Sequence, residues 1–382
     1  MDLLDAGRII AGLLLLTLGG EVLVRGASSL AERVGISPLV VGLTVVSLAT
    51  SAPELAVTVG AVLRDEPELA VGNVVGSNIA NVLLILGISA LVIPLAVKRR
   101  LVRLDLPIMV ALSLMLLVMS LDGGVGTGDG VILLGALLAY LVITVLVSRR
   151  ESAEARTSAP VQGARTPDPA EADTKPPAPS VLRSLFFVVL GVALLIAGAR
   201  LLVDGAVNVA VAFGVSSLVV GLTVVAIGTS LPELAVSVIA VRRGERDLAV
   251  GNVVGSNIAN IGLVLGLPAL LSADGIPVPD AAVALDIPLM LAAAVALLPI
   301  AFTGFAIARW EGGLFLVLYL AYTSFVVLAA TEHEALDGYT AVMAWFVLPL
   351  IAVTLLAFAY FEWRQGSRRP PQRGHRPPPP SD

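Results

Sequence analysis

The sequence predicts an all-α integral membrane protein built as an inverted repeat, and three observations lead there. Hydrophobic residues make up 57% of the 382 and charged residues only 14%, with a mean hydropathy of +0.95. A soluble domain needs about a quarter charged residues to cover its surface. The apolar residues gather in runs long enough to cross a hydrocarbon core of ~30 Å, which takes about 20 residues of helix. Residues 42–81 also recur as a near copy at 221–260, with an odd number of runs between each residue and its copy, so the two copies cross in opposite directions.

Eleven runs qualify as spans: 6–28, 38–63, 69–94, 103–121, 129–148, 184–204, 217–241, 248–271, 281–302, 312–330 and 340–361. Between them, TSAPVQGARTPDPAEADTKPPAPS at 157–180 is rich in proline, alanine and mixed charge, a composition that cannot bury a core and is expected to be disordered. The chain therefore divides into a first membrane half at 1–148, a cytoplasmic linker at 149–182, a second half at 183–338, an extra C-terminal span at 339–363 and a disordered tail at 364–382.

Loop charges set the expected orientation. Alternate loops are basic, with Arg25 and Arg33, Lys98 to Arg100 with Arg103, Arg149 and Arg150, Arg242 and Arg243, Arg309, and Arg364 with Arg368 and Arg369. The intervening loops carry Asp65, Glu66 and Glu68, Asp122 and Asp129, Asp204, Asp274 and Asp280, and Glu332, Glu334 and Asp337. Basic loops stay cytoplasmic, so the N-terminus is expected outside and the C-terminus inside. With Asp2 and Asp5 ahead of it and no basic leader, the first run reads as a retained span. The bacterial inner membrane is the expected location.

There is no cysteine, which excludes disulfides and thiolate metal sites, and both histidines, His333 and His375, fall outside the apolar runs. No cofactor is indicated, and nothing points to nucleic acid or an obligate protein partner. The lipid bilayer is the expected surround.

The repeat is specific. LAVGNVVGSNIAN is identical over thirteen residues at 69–81 and 248–260, and an offset of 179 residues maps Gly42 to Gly221, Glu54 to Glu233 and Ser77 to Ser256. Inverted repeats of this kind are the architecture of secondary transporters, whose sites lie near mid-membrane between broken helices. Here each copy sets a Pro-Glu pair, Pro53-Glu54 and Pro232-Glu233, inside an apolar run. A proline in a helix removes a donor and pushes aside the carbonyl four residues back, leaving backbone oxygens free beside a carboxylate.

On a helix, Thr50, Ser51 and Glu54 share a face, extended to Ser47 and Thr58, and Thr229, Ser230, Glu233 and Ser237 repeat it. In the following spans Asn73, Ser77 and Asn81, and Asn252, Ser256 and Asn260, recur every four residues. Such oxygens are what hard cations take as ligands. Taken singly, a serine, threonine or asparagine in a membrane helix more often bonds its own backbone or a neighbouring helix. Gly72 and Gly76, with Gly251 and Gly255, read as small residues for close helix packing. For the glutamates the balance reverses, because an acid at a helix centre costs roughly 2.5–3.5 kcal/mol and marks function. Outside this set, Glu21 with Arg25 and Arg200 with Asp204 read as ion pairs, and Asp105 and Asp286, each ahead of a proline, as helix caps.

ATSAPE at 49–54 and GTSLPE at 228–233, each followed by GNVVGSN, resemble the two alpha repeats of the cation/calcium exchanger superfamily, and most closely its sodium/calcium exchangers. The resemblance implies a ten-helix inverted-repeat core, to which 340–361 adds an eleventh span. The second, third, seventh and eighth helices would surround a line of ion sites. It places the acidic ligands on Glu54 and Glu233, hydroxyl and carbonyl ligands on Thr50, Ser51, Thr229, Ser230, Ser77 and Ser256, and amides on Asn81 and Asn260. Main-chain oxygens are implied at Ser47 and Ala226. The transported ions would be Ca2+ and Na+.

Two substitutions depart from the pattern: Ala49 stands where the motif has glycine, and Asn260 where some relatives have aspartate, which leaves two carboxylates in the site. The expected activity is sodium/calcium antiport by alternating access, a secondary active transporter and not an enzyme. A calcium/proton antiporter ranks second, since proton-coupled relatives tend to have glutamate where this chain has Asn81 and Asn260. A cation channel and an intramembrane hydrolase are further alternatives.

Overall fold

The computed structural model describes residues 3–157, 180–220, 223–224, 226–272, 274–302, 305–333 and 335–343. Among them, eight helices are long and apolar enough to cross a membrane, and a ninth span is a bent pair. In chain order they are α1 (Leu3–Val34), α2 (Pro38–Thr50 and Ala52–Leu63), α3 (Leu69–Val92), α4 (Leu101–Asp122), α5 (Thr127–Arg150), α6 (Val181–Ala212), α8 (Arg246–Leu271), α9 (Ala282–Ala301) and α10 (Arg309–Ala330). Helix α7 (Leu231–Arg242) follows two short helical pieces, Ser217–Val220 and Ala226–Gly228. Each expected run that lies wholly among the described residues falls on one of these helices. In the run at 217–241, residues 221, 222 and 225 lie outside the described residues, as does the run at 340–361 beyond 343. The helix of α5 continues to Thr157, so its last turns occupy a segment assigned above to the linker.

The chain is not purely helical. Two two-residue antiparallel pairings tie the halves together: β1 (Leu95–Ala96) with β4 (Ala306–Ile307), and β2 (Gly124–Val125) with β3 (Ile276–Pro277). Each joins a loop of one half to a loop of the other, so the repeats are stitched at both symmetry-related positions.

Burial orders the helices. In α3 and α8, 78% and 83% of the apolar window is buried, against 11–39% in the other long helices, so these two form the centre. Most of the polar residues they carry, Ser77, Asn78, Asn81, Asn252, Ser256, Asn257 and Asn260 among them, are buried.

Around that centre, α1 and α6 pack antiparallel along glycines seven residues apart, Gly12, Gly19 and Gly26 against Gly191, Gly198 and Gly205. The 179-residue offset relates the two triplets, a part of the repeat that the sequence reading did not single out. A Cβ on Gly198 would stand 2.8 Å from the Leu16 amide nitrogen and 2.9 Å from the Gly12 carbonyl oxygen. Backbone cannot yield as a side chain can, so Gly198→Ala is expected to part the helices and destabilise the protein by about 1–3 kcal/mol. A lowered melting temperature of the purified variant checks this, with Gly135→Ala, which meets nothing within 4 Å, as the unaffected control.

The acids set aside above behave differently from expectation. Asp105 is not a cap: it lies within a π-helical turn, fully buried, and accepts a hydrogen bond from Tyr140 Oη of α5 at 3.0 Å. Asp286 likewise accepts from Tyr322 of α10, at 3.3 Å. Asp105 is fully buried and Asp286 half-buried, and within a helix body, where no free N–H groups exist, a cross-helix phenol serves each as a donor. Glu21 does pair with Arg25, at 3.1 Å, and is also clasped by Arg243, whose Nε lies 2.8 Å away. Among the described residues Arg200 and Asp204 form no ion pair.

Candidate cation site

The site begins with the two Pro-Glu pairs. In α2 the helix bends by 42° at Ser51, which leaves helical geometry (φ −77°, ψ 2°), and Pro53 sits in the first turn of the segment that follows. A proline is tolerated there because that amide would have no helical acceptor. The proline therefore starts a new segment and does not sit within a continuous helix, the geometry assumed from sequence. Ser230 (φ −89°, ψ 4°) and Pro232 repeat the arrangement at the start of α7. Each glutamate consequently occupies a first helical turn, where the positive end of the helix dipole favours a carboxylate.

Glu54 and Glu233 are each only 1% exposed, and they lie close enough to sense each other's charge. Among the described residues no basic side chain pairs with either.

Most of the expected neighbours of this pair are buried. Thr50, Ser51, Ser77, Ser230, Ser256, Asn81, Asn260 and Ser47 are all buried, and Thr229 is half-buried. Thr50 Oγ1 donates to Asn252 Oδ1 at 3.2 Å and lies 3.5 Å from Ser256 Oγ. Asn73 Nδ2 donates to the Glu54 carbonyl at 3.0 Å and to Thr58 Oγ1 at 2.9 Å. At the symmetry-related place Asn252 Nδ2 donates to Ser237 Oγ at 3.2 Å. These asparagines hold α3 to α2 and α8 to α7.

The main-chain positions differ between the halves. The Ser47 carbonyl accepts from Ser51 N–H at 2.9 Å and from Thr50 Oγ1 at 3.3 Å. In the second half Ser230 N–H turns to the Ile227 carbonyl at 3.0 Å in place of the Ala226 carbonyl.

What remains unpaired defines the chemistry. Nine buried side-chain atoms here have no hydrogen-bond partner among the described residues: Ser51 Oγ, Glu54 Oε2, Ser77 Oγ, Asn81 Oδ1, Thr229 Oγ1, Ser230 Oγ, both Glu233 carboxylate oxygens and Asn260 Oδ1. All nine are oxygens. An unsatisfied buried polar group costs about 1–3 kcal/mol, so a cluster of them needs a ligand to offset it. Two carboxylates with neutral hydroxyl and amide oxygens suit a hard cation that takes six to eight oxygens. Among the described residues no group of three or more His, Cys, Asp and Glu side chains gathers anywhere, which separates this chemistry from a transition-metal centre.

The two repeats cover the site unequally. On one side the first segment of α2 packs backbone to backbone against α8, and a Cβ on Gly251 or Gly255 would come within 2.5 Å of the Leu39 carbonyl or 2.7 Å of the Leu43 carbonyl. Of the counterparts on α3, Gly72 is exposed and Gly76 half-buried, and a Cβ on either meets nothing within 4 Å among the described residues, which leave out 221, 222 and 225 of the second repeat. Thr50 Oγ1 is accordingly engaged and Thr229 Oγ1 is not.

Sequence reasoning missed Asn78 and Asn257. Asn81 Nδ2 donates to Asn257 Oδ1 at 2.9 Å, and Asn260 Nδ2 to Asn78 Oδ1 at 3.0 Å, a reciprocal pair of bonds between α3 and α8. The signal was present as an Asn-x-x-Asn spacing in both copies. Asn81 and Asn260 each lie in a π-helical turn, which shifts the phase of the helix just past Asn78 and Asn257.

A family model described as sodium/calcium exchanger protein matches residues 5–146 and 183–328. The chain is 42% identical over 272 residues to inner membrane protein YrbG of Escherichia coli (strain K12), covering 71% of this chain and 81% of that protein. It is 32% identical over 337 residues to sodium/calcium exchanger MaX1 of Methanosarcina acetivorans, covering 82% and 96%. Among solved structures it resembles the sodium-calcium exchanger NCX_Mj with a TM-score of 0.70 at 32% identity, over 85% of this chain and 100% of that one.

Proposed function

Because the chain belongs to the sodium/calcium exchanger protein family, we propose that it is a sodium/calcium antiporter that extrudes Ca2+ in exchange for Na+ by alternating access. Membership makes it a membrane ion exchanger and not an enzyme; the choice of ions and their coupling are this proposal. The observation that carries it is the set of nine buried oxygens without a partner among the described residues, three of them on the two buried glutamates and six on hydroxyl and amide side chains. Glu54 and Glu233 would supply the charge, and Thr50, Ser51, Ser77, Asn81, Thr229, Ser230, Ser256 and Asn260 the neutral oxygens, with the carbonyls of Ser47 and Ala226 completing the set.

Two carboxylates balance one calcium ion or two sodium ions, so occupancy by one species excludes the other by charge as well as by space. Entry of a further sodium would leave the loaded site positive and make transport voltage-sensitive. The relatives support the ion assignment: one is named a sodium/calcium exchanger, and structures of another were obtained after soaking with Na+ and Ca2+. The same reading includes a ten-helix core in two halves with an eleventh C-terminal span, the N-terminus outside and the C-terminus in the cytoplasm. The proposed setting is the bacterial inner membrane, which the match to an inner membrane protein supports.

Calcium uptake into vesicles loaded with sodium tests it. Uptake is expected to require the outward sodium gradient; equal uptake with and without that gradient refutes the coupling. Uptake that follows a pH step and ignores sodium assigns the chain to calcium/proton antiport instead. The amides of Asn81 and Asn260, which do not titrate, favour the sodium reading.

A further inference from the structure

An asparagine amide has two ends of nearly equal shape and opposite polarity, and only the oxygen end can face a cation. Something must choose between them at Asn81 and Asn260. In the first chain of contacts, Asn78 Nδ2 lies 3.4 Å from the Asn257 carbonyl oxygen and 3.4 Å from Met290 Sδ. A carbonyl and a thioether can only accept, so the Asn78 amide has one possible polarity and its Oδ1 turns outward. That oxygen accepts from Asn260 Nδ2 at 3.0 Å, which leaves Asn260 Oδ1 buried and unpartnered in the cation site.

The second chain is its mirror. Asn257 Nδ2 is 3.5 Å from Met109 Sδ, Asn257 Oδ1 accepts from Asn81 Nδ2 at 2.9 Å, and Asn81 Oδ1 is left buried and free. Both chains run from an obligate acceptor through two amides to an orphaned oxygen, and each crosses from one repeat to the other. Both chains arrive at the same polarity at symmetry-related positions.

We propose that Asn78 and Asn257 are positioning residues that set the amide polarity of Asn260 and Asn81, so that each repeat orients a cation ligand of the other. The inference rests on the reading of Asn81 and Asn260 as ligands. Without Asn78 the Asn260 amide is free to turn its NH2 end toward the ion, replacing an attraction by a repulsion. A carboxylate at 260 has oxygen at both ends and needs no such orienter.

That difference separates orientation from packing. Calcium titration calorimetry on the purified full-length protein is expected to show N78A weakening affinity roughly 10- to 100-fold, the usual effect of removing a group that orients a metal ligand. The same N78A change made in an N260D background is expected to cause no such loss, because no wrong end remains and removing Asn78 Oδ1 relieves its contact with a carboxylate oxygen that has no hydrogen to give it. Equal losses in the two backgrounds mean that Asn78 only packs, and overturn the inference; so does unchanged affinity in N78A alone. If N78A does not fold, N257A with and without N81D runs the same cycle through the mirrored chain. A wild-type protein that binds no calcium sinks the site assignment itself, an outcome distinct from wild-type binding with no interaction in the cycle.

Discussion

Glu54→Gln and Glu233→Gln are each expected to abolish measurable calcium binding while raising the stability of the ion-free protein. Both acids are 1% exposed and have no basic partner among the described residues, so without a bound cation the protein buries two acids with nothing to neutralise them. Each costs roughly 2.5–3.5 kcal/mol to bury at a helix centre. The amide keeps the shape and removes the charge, which relieves part of that cost. It also removes half of the site's compensation for a divalent ion. A wild-type protein held at a hundred times its calcium dissociation constant gains about 2.7 kcal/mol from mass action, and the variants gain none. Thermal unfolding with and without calcium reads both effects. A variant whose melting temperature still rises with calcium removes that glutamate from the site.

Gly76→Val is expected to leave calcium binding near its wild-type level and to slow transport by more than tenfold, the opposite division of effects. Gly76 is half-buried, and nothing among the described residues lies within 4 Å of a Cβ there. Its counterpart Gly255 is sealed against the Leu43 carbonyl at 2.7 Å and the Ser47 hydroxyl at 2.7 Å. If the two repeats exchange roles during the cycle, the surface of Gly76 must become as tight as that of Gly255 is now, and valine prevents it. The variant would bind ions in the arrangement seen here and fail to reach the other. Calorimetry and vesicle uptake on the same preparation separate the two quantities. Wild-type transport by Gly76→Val would show that α3 never makes the contact that α8 makes.

Much of the fold was legible because membrane spans obey a length rule. The two glutamates were legible because a charge in an apolar run has a cost that only function offsets. The hydroxyl stripes followed from helical spacing. Other features had no local signature. Asp105 precedes a proline in the chain and looks like a cap; only the folded helix shows it buried beside Tyr140. Asn78 is one polar residue among several in a helix, and its role depends on Asn260 and Met290, 182 and 212 residues away.

By itself the sequence determined the chemistry and the direction of each crossing: which oxygens exist, which spans carry them, and that the two copies run oppositely. Tertiary structure alone decided how those copies differ in use. LAVGNVVGSNIAN occurs twice without a single change, yet in one copy the glycines are pressed against another backbone and in the other nothing among the described residues comes within 4 Å of a Cβ at either glycine. Identical segments have identical local preferences, so the difference comes from where a distant element lies, and that is a property of packing between helices and not of the residues within one.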